Sequence, residues 1–192
     1  MKYLSIDIET TGLDVQRCDL LEFAAIIDDT EHPEVHVNNL PRYHCYNVKN
    51  TYEGEPYALS LHGEIFRRIH ERTLGYVYCE DGEFGEDFNL FLEDNGYSTS
   101  KKALQCAGKN FGAFDLQFLR YTDLGDYGID LGHRFIDPAS MLMRPDDPDL
   151  PDSKECMRRC GITGQVAHTA MADALVVIKM IRFVMAERIK NV

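Results

Sequence analysis

The sequence predicts an α/β fold built on a mixed β-sheet flanked by helices. Two observations carry the prediction. Three strand candidates crowd into the first 48 residues ahead of any good helix, and the remainder alternates helical periods with short strands before one long C-terminal helix. Strands that follow one another without a helix pair antiparallel, whereas strands separated by helices pair parallel. The expected sheet is therefore three antiparallel strands followed by parallel ones. A chain of 192 residues, 44% hydrophobic and 27% charged, has the length and apolar content for one core, and a single domain over residues 1–192 is expected.

Each element follows from local pattern. Residues 2–9 alternate, with Leu4, Ile6 and Ile8 on one face and Tyr3, Ser5, Asp7 and Glu9 on the other. Thr10-Thr11-Gly12 punctuates this strand; 20–28 and 42–48 are the second and third. Leu61, Ile65, Phe66 and Ile69 recur at helical spacing and predict a helix over 57–71, and Phe84 to Phe91 gives another. Leu104 to Ala107 is a short apolar strand ending at Gly108, followed by a helix over 113–121. Arg134 to Ile136 is a strand stopped by Asp137-Pro138, an N-cap with proline at the first helical position. The acidic, proline-rich stretch from Arg144 to Asp152 reads as a loop, and 153–160 and 169–190 as helices.

Charge and motifs remove several function classes. Twenty basic against 32 acidic residues leave a net charge of −12, which repels a polyanion at long range and excludes a non-specific duplex-DNA coat. A small cleaving site survives that argument, because bound divalent metals reverse the local field. No run of 18 apolar residues and no basic-then-apolar leader pattern occurs, so the expected address is the cytoplasm, with the six cysteines reduced. Phosphate-loop and serine-hydrolase motifs are absent. Cys156-x-x-x-Cys160, with His44 and Cys45, lacks the second short-spaced pair of a structural zinc site. Arg67-Arg68, Lys101-Lys102 and Arg158-Arg159 read as solvated helix faces or loop ends.

The informative residues are acids in apolar places. Asp7 and Glu9 leave one face of the first strand at its carboxyl end, where ligand crevices form; the alternative is a solvent-facing edge. Asp115 lies beside Phe118 and Leu119 on a helix, or is simply a helix-start acid. Asp173 falls on the apolar stripe Ala170, Ala174, Val177, Ile178, Ile181, Val184, Met185 and needs a cation or a donor. His168, five residues earlier, is about 140° around an ideal helix from Asp173, so both face one site only if His168 sits in the turn ahead, with Thr169 as N-cap. Four carboxylates on three elements match two divalent cations, and all-oxygen ligation suits Mg2+ or Mn2+. Without metal the acids would raise one another's pKa values.

Ile6-Asp7-Ile8-Glu9-Thr10-Thr11-Gly12-Leu13, then Asn110 to Asp115 with Phe118-Leu119, then His168-Thr-Ala-Met-Ala-Asp173 come in an order that resembles the DEDDh 3′–5′ exonucleases. That family has a ribonuclease H-like fold and includes proofreading exonucleases, ribonuclease T and oligoribonuclease. The Asn110–Asp115 spacing is similar to oligoribonuclease, and Thr10-Thr11-Gly12 to the other two branches; the acidic 144–152 insert departs from the family pattern. The resemblance implies hydrolysis of single-stranded RNA or DNA from the 3′ end to nucleoside 5′-monophosphates, by two Mg2+ or Mn2+ ions about 3.5–4 Å apart. It implies that Asp7 bridges both ions, Glu9 and Asp173 complete the site that activates water, and Asp115 holds the other. His168 is then the general base, a role suited to a side chain that titrates near neutral pH. Thr10, Thr11, Gly12 and Leu13 would meet the terminal nucleotide. His62 is read as a surface residue of its helix in preference to a pocket wall. A homodimer, as in oligoribonuclease and ribonuclease T, is one expected assembly; a proofreading exonuclease beside a polymerase and an inactive nuclease-fold binding module are the alternatives. A compact exonuclease of this kind would suit a bacterium or a bacteriophage.

Overall fold

The computed structural model describes residues 1–97, 103–164 and 168–190. Its six-stranded sheet comprises β1 (Lys2–Thr10), β2 (Leu20–Asp29), β3 (Arg42–Val48), β4 (Tyr78–Glu80), β5 (Cys106–Ala107) and β6 (Phe135–Ile136), in the order β4-β3-β2-β1-β5-β6. β1–β2 and β2–β3 are antiparallel, and β3–β4, β1–β5 and β5–β6 are parallel. The helices are α1 (Pro56–Leu61), α2 (Gly63–Glu71), α3 (Gly85–Asp94), α4 (Asp115–Leu119), α5 (Pro138–Leu142), α6 (Ser153–Arg159) and α7 (Ala170–Lys190). The mixed sheet and its antiparallel opening agree with the sequence pattern.

β1 is an interior strand covered on both faces. Leu4, Ile6 and Ile8 pack with Phe23 of β2, Phe84, the α3 residues Phe88 and Leu92, and Phe118 of α4. Tyr3 on the opposite face shares a cluster with Ala174, Val177, Ile178 and Ile181 of α7. The face carrying Asp7 and Glu9 is thus an inward one, which rules out the solvent-edge alternative. Pairing of β1 with β2 runs in register from Lys2–Asp29 to Glu9–Glu22 and shifts by one residue between Glu9 and Thr10. Such bulges end regular pairing and re-aim side chains.

Buried polar contacts fix α7 against the sheet. Ser5 Oγ donates to the Ala174 carbonyl at 2.7 Å. Arg182 makes a two-pronged pair with Asp28 at 2.6 and 3.0 Å, and Tyr3 Oη donates to the same carboxylate at 2.7 Å. Burial pushes Asp28 up, but the bonds from Arg182 and Tyr3 outweigh it and hold the carboxyl below its usual range.

Several boundaries differ from the sequence pattern. The expected 57–71 helix breaks into α1 and α2 at His62, whose backbone leaves helical geometry (φ −96°, ψ 22°) just before Gly63. The helix over 113–121 contracts to Asp115–Leu119 and the strand over 104–107 to two residues. β4 was not expected: three residues carry no measurable period, and only pairing with β3 makes them a strand. Asp137 caps α5 by accepting from Ala139 N at 2.8 Å. The acidic 144–152 loop is held by Arg159, which pairs with Asp147 through two 2.6 Å bonds. Arg67, Arg68 and Arg158 pair with glutamates on their own helices. Lys101 and Lys102 lie outside the described residues. Among those residues, no helix is long and apolar enough to cross a membrane.

Arg182→Ala leaves the Asp28 carboxylate, 2% exposed, without its cation. The expected loss is about 3 kcal/mol in urea unfolding. Because the Asp28 acid constant is depressed in the fold, its contribution is present above the unfolded carboxyl value and lost as pH falls through the folded one. The variant's deficit should therefore narrow in acid; an equal deficit at every pH would contradict this assignment.

Candidate active site

At the carboxyl end of β1, Asp7, Glu9 and Asp173 each offer a carboxylate oxygen within 4.8 Å of the others. Two come from one strand face and the third from the first turn of α7, which the Ser5–Ala174 bond sets directly above β1. Asp115, at the first position of α4, is 4% exposed. All four acids are pushed up. Burial is the largest cause at each; for Asp7 the Asp115, Glu9 and Asp173 charges follow, and for Glu9 the Glu22, Asp173 and Asp115 charges. Glu9 rises to about 8 and Asp173 to about 6, with His168 pulling Asp173 back down. Backbone groups at Asp115 itself and at Ile8 moderate the rise at Asp115. A cluster of oxygens that resists ionisation without a cation, with no nitrogen or sulfur among the three closest donors, fits hard divalent cations such as Mg2+ or Mn2+.

His168 occupies the turn ahead of α7. Thr169 closes the first helical bonds, its carbonyl accepting from Ala172 and Asp173 at 3.0 and 3.1 Å. The histidine backbone is left-handed (φ +48°), uncommon for a residue with a Cβ, and its side chain is exposed. Its charge is felt at both Asp173 and His62, so it faces the same end of the sheet.

The Thr10–Leu13 turn is built inward at its start and outward at its end. Thr10 Oγ1 donates to the Gly12 carbonyl at 2.7 Å; Thr11 Oγ1 donates to the Glu53 carbonyl and accepts from Asp19 N at 2.6 Å. A Cβ on Gly12 would stand 2.6 Å from Cys18 Sγ and 2.8 Å from Glu55 Cγ, so a larger residue there would displace both side chains. Leu13 is 75% exposed. Backbone bonds link this turn to the segment leading into α1, with Glu55 N donating to the Thr11 carbonyl at 2.8 Å. Tyr57 and Leu61, one helical turn apart on α1, are also exposed.

One residue beside the acids differs from its sequence reading and a second was not singled out by it. His62 is buried, contrary to the surface expectation, and its Nε2 lies 3.4 Å from Glu9 Oε2. The helix break that turns it inward has Gly63 as its sequence signal. Glu22, 1% exposed, sits opposite Glu9, accepts from Ala170 N at 3.1 Å and pairs with His44 Nε2 at 2.8 Å. It ties the start of α7 to β2 and β3. A glutamate inside the apolar run Leu20 to Ile27 was the available clue. His44 and Cys45 do not meet Cys156 and Cys160, which pack with Ala139, Met157 and Met180 in a separate apolar cluster.

No protein-family model and no curated protein sequence matches the chain. Solved structures do. E. coli exonuclease I in complex with a dT13 oligonucleotide superposes with a TM-score of 0.63 at 18% identity, over 99% of this chain and 42% of that one. The zinc-ion-bound form of the E. coli exonuclease I–ssDNA complex gives 0.62 at 20%, over 98% and 41%. Cell-death related nuclease 4 (CRN-4) gives 0.65 at 15%, over 97% and 64%. The chain thus spans about two fifths of the exonuclease I length. At these identities the likeness establishes the fold, a ribonuclease H-like α/β sheet flanked by helices.

The raised acid constants have a measurable consequence. Folded Glu9 and Asp173 keep protons that the unfolded chain releases near its ordinary carboxyl value, so raising pH from about 4 towards 8 removes stability from the metal-free protein. A thermal melt in chelator should show a midpoint that falls across this window. Mg2+ or Mn2+, which bind the ionised forms, should restore it at pH 8, and Asp7→Asn should melt higher than the parent in chelator yet gain less from metal. A metal-free midpoint that is flat or rises between pH 5 and 8 would refute the assignment.

Proposed function

We propose that this chain is a metal-dependent 3′–5′ exonuclease of the DEDDh type, one exonuclease domain over residues 1–192. On this reading it hydrolyses single-stranded nucleic acid to nucleoside 5′-monophosphates. The observation that carries it is the convergence of Asp7, Glu9 and Asp173 within 4.8 Å, with Asp115 buried beside them and His168 in the turn ahead of Asp173. These are the five residues the sequence resemblance selects. Two structural neighbours, exonuclease I in complex with an oligonucleotide and the zinc-ion-bound exonuclease I–ssDNA complex, favour the same reading.

On this proposal Asp7, Glu9, Asp115 and Asp173 hold two divalent ions. When bound, the ions offset the charge of the scissile phosphate and of the leaving oxygen, and acidify water. His168 accepts the proton of the water that attacks phosphorus. The bond to the 3′-oxygen of the penultimate nucleotide breaks, and that oxygen takes a proton from solvent water to become the new 3′-hydroxyl. His62, 3.4 Å from Glu9, holds that carboxylate in place, and Glu22 holds the start of α7, so both act as positioning residues. Leu13, with Tyr57 and Leu61 on the neighbouring helix, offers an exposed apolar surface for the terminal base. The Thr10 hydroxyl is committed to the Gly12 carbonyl and the Thr11 hydroxyl to Glu53 and Asp19, so their contribution to the nucleotide is to shape the backbone.

The test is a time course on 5′-labelled single-stranded RNA and DNA with Mg2+, with Mn2+ and with chelator. The expected result is a ladder shortening from the 3′ end, abolished by chelator and by Asp7→Ala. His168→Ala should slow it by about 10²- to 10⁴-fold. The faster of the two ladders identifies the preferred sugar. No metal-dependent cleavage of either strand would sink the proposal.

A further inference from the structure

A cleft of about 160 Å3 opens off the acid cluster, and its walls include Asp7 and Asp173 but not Glu9. The strand order explains the asymmetry. β2 and β3 lie on one side of β1 and bring Glu22 and His44, and with α1 come His62 and the approach to the Thr10–Leu13 turn; β5 lies on the other side and is followed, after Gly108, by Lys109 and Asn110. These two residues and Ser153 of α6 form the cleft's polar rim, and Met180 of α7 contributes to its apolar wall.

The rim carries chemistry that the fold does not use. Lys109 is partly buried in the cleft that Asp7 and Asp173 also line, yet it has no ion-pair partner within 4.0 Å among the described residues. The side chains of Asn110 and Ser153 likewise have no hydrogen-bond partner among those residues. Asn110 is held in a left-handed conformation (φ +59°), and its backbone N donates to Asp137 at 3.2 Å, which fixes the rim on the cap of α5. An ammonium, an amide and a hydroxyl lining one cleft with the acids suit a phosphate, a group with several acceptor oxygens and a negative charge.

We propose that this cleft seats the phosphodiester backbone on the 5′ side of the scissile bond, with Lys109 pairing the phosphate and Ser153 and Asn110 donating to its oxygens. The inference rests on the exonuclease reading above. If the terminal nucleotide occupies the turn side of the acids, the rest of the strand must leave on the β5 side, where this rim stands. The cleft is a backbone site, so it serves any base sequence.

The test compares two substrates: a single-stranded oligonucleotide, and the p-nitrophenyl ester of thymidine 5′-monophosphate, which supplies the terminal nucleotide and lacks everything upstream. For Lys109→Ala the oligonucleotide KM should rise about tenfold, so that kcat/KM for the oligonucleotide relative to the ester falls by about the same factor. Lys109→Arg should recover most of the loss. The dependence of log(kcat/KM) on log salt should become shallower by about 0.7 for one lost phosphate contact to a single strand. Lys179→Ala, an exposed charge elsewhere on α7, is the control for net charge. Equal losses on both substrates, or no loss on the oligonucleotide, would overturn the proposal while leaving an active wild-type enzyme in hand. A wild-type protein that cleaves neither substrate would instead remove the exonuclease reading, and this inference with it.

Discussion

The seating of α7 across β1 and β2 is the constraint on which the site depends. Apolar packing through Ala174, Val177, Ile178 and Ile181 presses the helix onto the sheet, but such packing tolerates sliding and rotation. Three buried polar contacts remove that freedom: Glu22 at the first helical amide, Ser5 at the Ala174 carbonyl, and Asp28 with Arg182 two turns further on. Each has a direction and a short range, so a shift of one residue along the helix would break all three. Asp173 lies between the first two and inherits their precision.

That seating concentrates negative charge. Asp7, Glu9, Asp115, Asp173 and Glu22 gather at one end of the sheet; burial drives the first four towards their protonated forms, and neighbouring acid charges add to it at Asp7, Glu9 and Asp173. Glu22 is treated differently by the fold: a backbone amide and His44 satisfy both of its oxygens. The contrast separates roles. A carboxylate whose oxygens are satisfied by protein is structural, whereas carboxylates crowded with their oxygens towards one another are poised for cations. Local destabilisation concentrated at one place, inside a core that is otherwise apolar and consistent, is the usual mark of a site maintained for function.

The surroundings of the acids are unequal on their two sides. Towards β2 and β3 stand His62, the inward-bonded Thr10–Thr11 turn and exposed Leu13; towards β5 stands a polar rim with an uncommitted lysine. A linear polymer crossing the acids would meet an apolar surface at one end and a cationic one at the other. The topology, with β1 central and unlike neighbours on its flanks, is the origin of that polarity.

The sequence by itself determined the strongly periodic elements and the identity of the acids. Alternation placed Asp7 and Glu9 on one strand face, and the 3.6-residue stripe exposed Asp173 as a charge among apolar neighbours; both are local geometric facts that need no partner. The mixed sheet was legible for the same reason. Only the tertiary structure decided what local period cannot encode. β4 exists because β3 pairs with it, and the helix over 57–71 breaks at His62, which turns inward to Glu9. Glu22 gains its role from a helix 148 residues away. Lys109 acquires its place from β5 lying beside β1. Contacts of that range depend on which surfaces are brought together when the chain closes, and a window of neighbouring residues carries no record of it.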